Sequence, residues 1–219
     1  MYVFYITKVK ICFTNFLIIS FIQIEIVALF SMNGRFLYFC NMVQKLTTSE
    51  LNRIDTETFK KSEKLPLTIV IDNVRSLNNV GSIFRTSDAF LIKEILLCGI
   101  TATPPHREIQ KTALGATESV DWKYFDKTAD AIHYLKKLNI KVYAVEQVSE
   151  SISLENFDFE QELAVVFGNE VHGVSEEVIP LVDGCIEIPQ FGTKHSLNVS
   201  ITAGIVIWDL FLKIKKAGK

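Results

Sequence analysis

Three short segments of the sequence combine glycine with polar side chains of the kind that active sites use. They are NNVGSIFRTSDAF (residues 78–90), GNEVHG (168–173) and FGTKHSLN (191–198). Their candidate chemical groups are two amides, a guanidinium, a carboxylate and a hydroxyl: Asn79, Asn198, Arg85, Glu170 and Ser196. Such groups, held beside a reacting atom, can stabilise developing charge or move a proton. We therefore treat these five residues as candidates for catalysis.

Each segment also has a purely structural interpretation. Asn79 is a suitable helix cap, and Arg85 and Asp88 have the spacing of an ion pair along one helix. Ser175 can cap the turn after the second segment, and glycine suits tight turns. This interpretation does not explain why a carboxylate, Glu170, should lie inside a glycine turn.

Around these segments the sequence alternates between strand-like and helix-like patterns. Short apolar runs predict strands at residues 67–72, 94–100, 141–147, 162–168 and 184–189. Amphipathic runs predict helices at residues 79–90, 128–138 and 196–216, and a polar helix at 45–64, where Thr47 and Glu50 are spaced as a capping box. This pattern is typical of an α/β fold whose mainly parallel sheet has helices on both faces. The three polar segments follow predicted strands, where such folds bind ligands.

The sequence lacks the glycine-rich patterns of nucleoside triphosphate and dinucleotide sites. Instead, NNVGSIFRTSDAF, LAVVFGNEVHGVSEEV and IPQFGTKHSLNVSITAGIVIWDL resemble, in order, the three motifs of the SpoU-type (TrmH-like) RNA 2'-O-ribose methyltransferases of the SPOUT superfamily. The resemblance covers residues 65–212. It implies a C-terminal trefoil knot, an exception to the rule that chains do not thread loops. It also implies methylation of a ribose 2'-hydroxyl in tRNA or rRNA, with S-adenosylmethionine as the methyl donor.

The resemblance implies a role for each candidate residue. Arg85 would stabilise the oxyanion that forms on the ribose, because a guanidinium keeps its charge and offers a rigid set of donors. Asn79 would orient Arg85 or the RNA backbone, and Glu170 would fix the second loop or the arginine. Ser196 and Asn198 would shape the pocket at the start of the last helix.

The same resemblance implies a binding site for S-adenosylmethionine. Its contacts would come largely from backbone groups of Gly168, Ile188 and Leu197, together with Ser196 and Asn198. Glycine would let the main chain approach the adenosine closely.

RNA binding needs positive charge, although the chain has a formal charge of −2 and residues 42–219 have 20 basic against 24 acidic residues. The phosphate contacts are therefore expected from a local group of cations, Arg75, Arg85, Arg107 and Lys111, of which Arg75 and Arg107 are expected in loops. No metal is expected, because His172 and His195 have no companion ligands at metal-site spacing.

The resemblance also implies partners, and two alternative functions stay open beside it. The segment 42–64 is too short for an extra RNA-binding domain, which favours tRNA over rRNA as the substrate. Family members form homodimers through the knot region, so the apolar face of the last helix (Ile201, Ile205, Trp208 and Leu212) is expected at an interface. The first alternative to a methyltransferase is a non-catalytic RNA-binding module of the same fold. The second alternative is a small-molecule α/β enzyme with a nucleotide cofactor.

The first 41 residues differ in composition from the rest. They contain seven of the sixteen Phe and a single acidic residue, Glu25. We interpret them as a non-native extension ahead of a true start at Met42, with a signal anchor in residues 11–30 as the alternative. The segment 42–64 would then be helical and residues 65–219 the methyltransferase domain, without a membrane contact. The four cysteines form no CxxC pair, which favours free thiols and a cytoplasmic location.

Overall fold

The computed structural model describes residues 24–30, 36–42, 45–47, 49–159 and 162–217, and it divides into two compact units, Met1–Arg53 and Ile54–Lys219. In the first unit, strand β1 (Ile24–Phe30) pairs antiparallel with β2 (Phe36–Met42). Residues 1–23 and 31–35 lie outside the described part. Both interpretations of residues 1–41 therefore stay predictions.

The second unit alternates strands and helices. Its strands are β3 (Leu65–Asp72), β4 (Ile92–Cys98), β5 (Asp121–Phe125), β6 (Lys141–Val145), β7 (Ile152–Ser153), β8 (Leu163–Phe167) and β9 (Gly184–Glu187). Its helices are α1 (Thr56–Lys61), α2 (Leu77–Ala89), α3 (Arg107–Ala113), α4 (Ala116–Ser119), α5 (Thr128–Lys137) and α6 (Val199–Ala217), with 3₁₀ turns at Leu154–Asn156 and Ile179–Leu181. The strands form one sheet in the order β5-β4-β3-β8-β6-β9-β7, and all of its pairs are parallel.

The central strands of this sheet, β3 and β8, are buried on both faces. Along β3, the side chains of Leu67, Ile69 and Ile71 pack in one core cluster with residues of α2 and α6. Val70 points to the opposite face and packs in a second cluster with residues of α5. A strand buried on both sides needs a continuous apolar run, which is the pattern that predicted it. The predicted α/β fold with a parallel sheet is confirmed, and the trefoil knot stays a prediction.

Several elements differ from the prediction. The polar helix expected at residues 45–64 is limited to α1. The expected capping pair forms in a turn instead, where Glu50 Oε2 accepts hydrogen bonds from the backbone N–H and the hydroxyl of Thr47, both at 2.7 Å. Strand β5 was missed because it lies at the sheet edge with mostly exposed side chains and lacks an apolar run. Arg107 begins α3 and is not in a loop.

Within the described residues, no helix is both long enough and apolar enough to cross a membrane.

Candidate active site

A cavity of about 580 Å³ lies at the carboxyl ends of β6, β8 and β9. Its walls are residues 145–147, 167–173, 186–188 and 195–199, with Gln190 and Thr202. The volume is in the range of cavities that bind small organic molecules. The second and third polar segments both contribute to the walls, at the strand ends where a parallel sheet binds ligands.

Glu170 connects the second segment to the first. Its Oε1 accepts hydrogen bonds from Ser76 N and from Asn79 Nδ2, both at 2.9 Å, and its Oε2 accepts one from Arg75 N at 3.0 Å. Because Ser76 is the N-cap of α2, this carboxylate lies at the positive end of the helix dipole. Burial raises the pKa of Glu170, but the hydrogen bonds from Arg75, Asn79 and Ser76 together hold that pKa below its ordinary value.

Asn198 connects the third segment to the same group. Its Nδ2 donates a hydrogen bond to Asn79 Oδ1 at 3.2 Å. Its own Oδ1 accepts hydrogen bonds from the backbone N–H of Ser200 at 2.9 Å and from the Ser200 hydroxyl at 2.7 Å, next to the first turn of α6. Glu170, Asn79 and Asn198 therefore form one chain of hydrogen bonds that joins the three segments.

The structural interpretation of the first segment is wrong in two respects. Ser76, and not Asn79, caps α2: the Ser76 hydroxyl accepts a hydrogen bond from Asn79 N at 3.4 Å. Asp88 forms no ion pair with Arg85, and its Oδ1 accepts a hydrogen bond from the Ser119 hydroxyl instead. The Asn79 side chain is free to serve the contacts with Glu170 and Asn198 because the capping is done elsewhere.

Other atoms of the chain pass very close to the two glycines of the second segment, Gly168 and Gly173. A Cβ at Gly168 would stand 2.1 Å from Gly173 C and from Val174 N. Gly173 has a positive φ of 68°, and a Cβ there would stand 2.1 Å from Glu146 Oε2. These glycines thus allow a tight fold of the loop. At Gly192, in the third segment, a Cβ would meet no atom within 4 Å, so no close approach of the chain requires a glycine at that position.

The residues expected to hold S-adenosylmethionine are brought together. All of them line the cavity: Gly168, Ile188, Ser196, Leu197 and Asn198. Among the described residues of its lining, there are three carboxylates, from Glu146, Glu170 and Glu187, and no Lys or Arg. Apolar side chains, backbone groups and an excess of negative charge suit a nucleoside that carries a sulfonium cation. The residues present therefore fit this group.

Arg85 lies apart from the cavity. It is an exposed residue of α2, it does not line the cavity, and within the described residues it forms no hydrogen bond or ion pair through its side chain. Its guanidinium is therefore not oriented by Asn79 or Glu170 within the chain.

The other expected RNA contacts are also exposed. Arg75 and Arg107 have no ion pair with any residue in the described part of the chain. Lys111 is different, because its Nζ pairs with Glu108 at 2.7 Å. His172 and His195 both line the cavity, and no group of His, Cys, Asp and Glu in the described ranges is arranged to hold a metal ion.

Two contributors to the site were not predicted. Glu146 follows β6, and its carboxylate accepts hydrogen bonds from Val174 N at 2.9 Å and Gln147 N at 3.0 Å. Asn169 donates through Nδ2 to the carbonyl of Asn73 at 2.6 Å. The rule that ligands lie beyond strand ends would have found Glu146 only if the strand predicted at residues 141–147 had been ended at Val145, where β6 ends.

Comparisons with known proteins agree with this arrangement. The sequence model of the SpoU rRNA Methylase family matches residues 66–208. A tRNA (guanosine(18)-2'-O)-methyltransferase of Thermus thermophilus is 31% identical over 170 residues, which cover 78% of this chain and 87% of that protein.

Solved structures show the same similarity. The crystal structure of the Aquifex aeolicus TrmH/SpoU tRNA modifying enzyme has a TM-score of 0.66 and 26% identity, covering 74% of this chain and 82% of that one. An AdoMet-bound rRNA methyltransferase from Sinorhizobium meliloti has a TM-score of 0.63 and 25% identity, covering 69% of this chain and 59% of that one.

Proposed function

We infer that this chain, which belongs to the SpoU rRNA methylase family and is an RNA ribose 2'-O-methyltransferase, takes its methyl group from S-adenosylmethionine and transfers it to tRNA. The observation that carries the proposal is the chain of hydrogen bonds from Glu170 through Asn79 to Asn198. It joins all three family motifs beside one cavity of suitable size. The choice of tRNA is supported by relatives that are named tRNA (guanosine(18)-2'-O)-methyltransferases.

S-adenosylmethionine would supply an electrophilic methyl group on a positively charged sulfur. The chain would hold it with backbone groups of residues 168–173 and 195–198 and with the apolar side chains of Ile188 and Leu197. Negative charge from Glu146, Glu170 and Glu187 favours a cation in the cavity. The hydrogen bonds between the first and second motif loops order their side of the donor cavity before RNA arrives, which lowers the entropic cost of aligning the two reactants.

The ribose hydroxyl is a weak nucleophile, because its proton is lost only at high pH. Arg85 would stabilise the negative charge that develops on the 2'-oxygen during the transfer. The guanidinium is free for this role, since it is exposed and has no ion pair with a described residue. Arg75 and Arg107, which are exposed as well, would contact RNA phosphates.

Because Arg85 lies outside the cavity of its own chain, we propose that the active site is completed in a homodimer. Each chain would supply the donor cavity, and the second chain would bring Arg85 to it. The face of α6 that carries Ile201, Ile205, Trp208 and Leu212 is exposed in the single chain, with 56%, 39%, 49% and 36% of each residue accessible. Burying such an apolar face is favourable, and it suits an interface between copies.

The proposed location is the cytoplasm, where tRNA is modified. The two cysteines whose thiols are described, Cys98 and Cys185, are free and buried. Free thiols are usual in a reducing compartment.

The function is tested with purified protein, S-adenosylmethionine carrying a labelled methyl group, and either tRNA or rRNA. Calorimetry measures donor binding, and nuclease digestion followed by mass spectrometry locates the methylated nucleoside. We expect donor binding and a 2'-O-methylated ribose in tRNA. Methylation of rRNA alone would contradict the choice of substrate, and absence of donor binding would contradict the proposed use of the cavity.

The role of Arg85 is tested with two inactive variants. Arg85→Ala should lose methyl transfer and keep the donor affinity within about threefold, because the side chain lies outside the cavity. Mixing Arg85→Ala with Glu170→Ala, followed by exchange of subunits, should restore about a quarter of the wild-type rate, since half of the dimers then contain one complete site. No restoration in a proven mixed dimer would show that Arg85 acts within its own chain.

A further inference from the structure

Asp72, the last residue of β3, is a buried carboxylate that the proposed reaction does not use. Its side chain is fully inaccessible to solvent. Oδ2 accepts a hydrogen bond from Ser175 N at 2.7 Å, and Oδ1 accepts one from Asn73 Nδ2 at 2.8 Å and one from the Thr128 hydroxyl. No described residue forms an ion pair with it. The charge is therefore satisfied by neutral donors only.

Asn73 extends the contacts of Asp72 to the other end of the same loop. Its carbonyl accepts the hydrogen bond from Asn169 Nδ2, and its Nδ2 also lies 3.3 Å from the Ser175 hydroxyl. Asn73 adopts a left-handed backbone with φ of 55°, a conformation that asparagine tolerates better than most residues. Asp72 and Asn73 thus hold both ends of the segment 169–175.

That segment is a wall of the donor cavity. Residues 167–173 line it, and Asn169 and Gly173 exchange two backbone hydrogen bonds, at 2.8 and 2.9 Å, that close the turn. Burying a carboxylate without a cation costs solvation free energy, so stability alone does not explain its presence. A carboxylate does, however, hold several donors in fixed directions. The neighbouring Cys98 shows the low polarity of the surroundings: burial, together with the nearby charge of Asp72, raises the pKa of its thiol to about 12.

We propose that Asp72, together with Asn73, is a positioning residue that fixes the loop of residues 168–175 in the shape required to bind the methyl donor. The proposal rests on the proposed function for the identity of the donor. The effect of Asp72 on the loop of residues 168–175 does not depend on which donor the cavity binds. Asp72 acts through Ser175 and the turn and does not touch the donor, since it does not line the cavity.

The test is Asp72→Asn, which preserves the shape of the side chain and replaces an acceptor by a donor. If the new amide nitrogen faces Ser175 N or Asn73 Nδ2, one hydrogen-bond donor faces another, whereas the Thr128 hydroxyl can turn to accept. Without any ligand, we expect faster amide hydrogen exchange in residues 169–175 than in the wild type. We also expect the dissociation constant for S-adenosylmethionine to rise on the order of tenfold, with the turnover at saturating donor changed less than threefold.

Two controls separate positioning from stability. Thr128→Val removes the hydrogen bond from α5 to Asp72 and leaves the one from Ser175 N, so exchange in the loop and donor affinity should stay near wild type. Glu94→Gln alters another carboxylate, 7% exposed, which is paired with Lys123 at 2.6 Å in β5. Its donor affinity should change less than twofold.

The proposal is overturned if folded Asp72→Asn shows unchanged amide hydrogen exchange in residues 169–175. It is also overturned if Glu94→Gln loses as much affinity for the donor as Asp72→Asn does. If Asp72→Asn does not fold, Asn73→Gly replaces it. Glycine keeps the left-handed backbone and the carbonyl bond to Asn169. It removes the side-chain donors to Asp72 and Ser175, together with the side-chain acceptor for Ile100 N outside the loop. Exchange should again rise in the loop, and unchanged exchange would refute the role. A wild-type protein that binds no donor would contradict the proposed function, while hydrogen exchange would still decide the role of Asp72.

Discussion

Replacing Glu170 by Gln should destabilise the protein by about 1–2 kcal/mol at neutral pH. The carboxylate accepts three hydrogen bonds, and glutamine has only one side-chain oxygen to receive them. A buried hydrogen bond to a charged group contributes about 1.5–3 kcal/mol to stability. Glu170 is exposed, so water can take the place of part of the lost hydrogen bonding, and the remaining cost is about 1 kcal/mol. Loss of negative charge at the start of α2 adds about 0.3–1 kcal/mol.

The pH dependence of this effect has a definite sign. The hydrogen bonds hold the folded-state pKa of Glu170 below its ordinary value of 4.5. The stabilisation is therefore present above the unfolded-state pKa, and it is lost as the pH falls through the lower folded-state pKa. Glutamine does not titrate. The difference in stability between the wild type and Glu170→Gln should shrink as the medium is acidified from about pH 7 to about pH 3.

The assay is thermal unfolding followed by circular dichroism at several pH values. For a domain of this size, each kcal/mol lowers the melting temperature by about 2–4 °C. Glu176→Gln is the matched control, because Glu176 is an exposed carboxylate of the same loop without a side-chain hydrogen bond among the described residues. If Glu170→Gln melts with the wild type at neutral pH, or if its deficit is the same in acid, the carboxylate does not join the loops as described.

Two further variants test other parts of the site. Gly168→Ala should destabilise the protein by about 1–3 kcal/mol, because its Cβ would meet Gly173 and Val174 at 2.1 Å. The control, Gly192→Ala, should melt within about 1 °C of the wild type, since its Cβ would meet no atom. Equal melting temperatures of the two variants would contradict the close packing at Gly168. Asn198→Ala should cost about 1 kcal/mol of stability through the lost cap on α6 and should lower methyl transfer, as measured by the labelled-donor assay. Full activity would show that the bond to Asn79 is dispensable.

The main strands of the fold were predictable because their physical cause is local. Strands β3 and β8 are short apolar runs that must be buried on both faces, and such runs are visible in the sequence. Strand β5 was not predictable in this way, since Trp122, Lys123 and Tyr124 lie at an edge where burial is slight. The polar run before α1 satisfied the pattern of a helix cap without enough apolar surface to stabilise the helix.

The residues of the candidate site were predictable from the sequence, but the contacts between them were not. The motifs identified Asn79, Glu170 and Asn198, and the structure joins these three. Their partners could not be inferred from spacing, because the contacts span 91 residues from Asn79 to Glu170 and 119 from Asn79 to Asn198. The position of Arg85 was missed for a different reason. Six residues along a helix place two side chains about 120° apart around its axis, which turns Arg85 away from the face that carries Asn79.

The three motif loops are not held equally. The first and second loops share hydrogen bonds through Glu170, Asn169 and Asp72, whereas the third loop has a single side-chain bond to the first, from Asn198 to Asn79. All residues from 191 to 198 are exposed, and Phe191 is 97% exposed. Regions with few buried contacts open most easily. The wall of the cavity made by the third loop is therefore the one whose order depends most on what binds there.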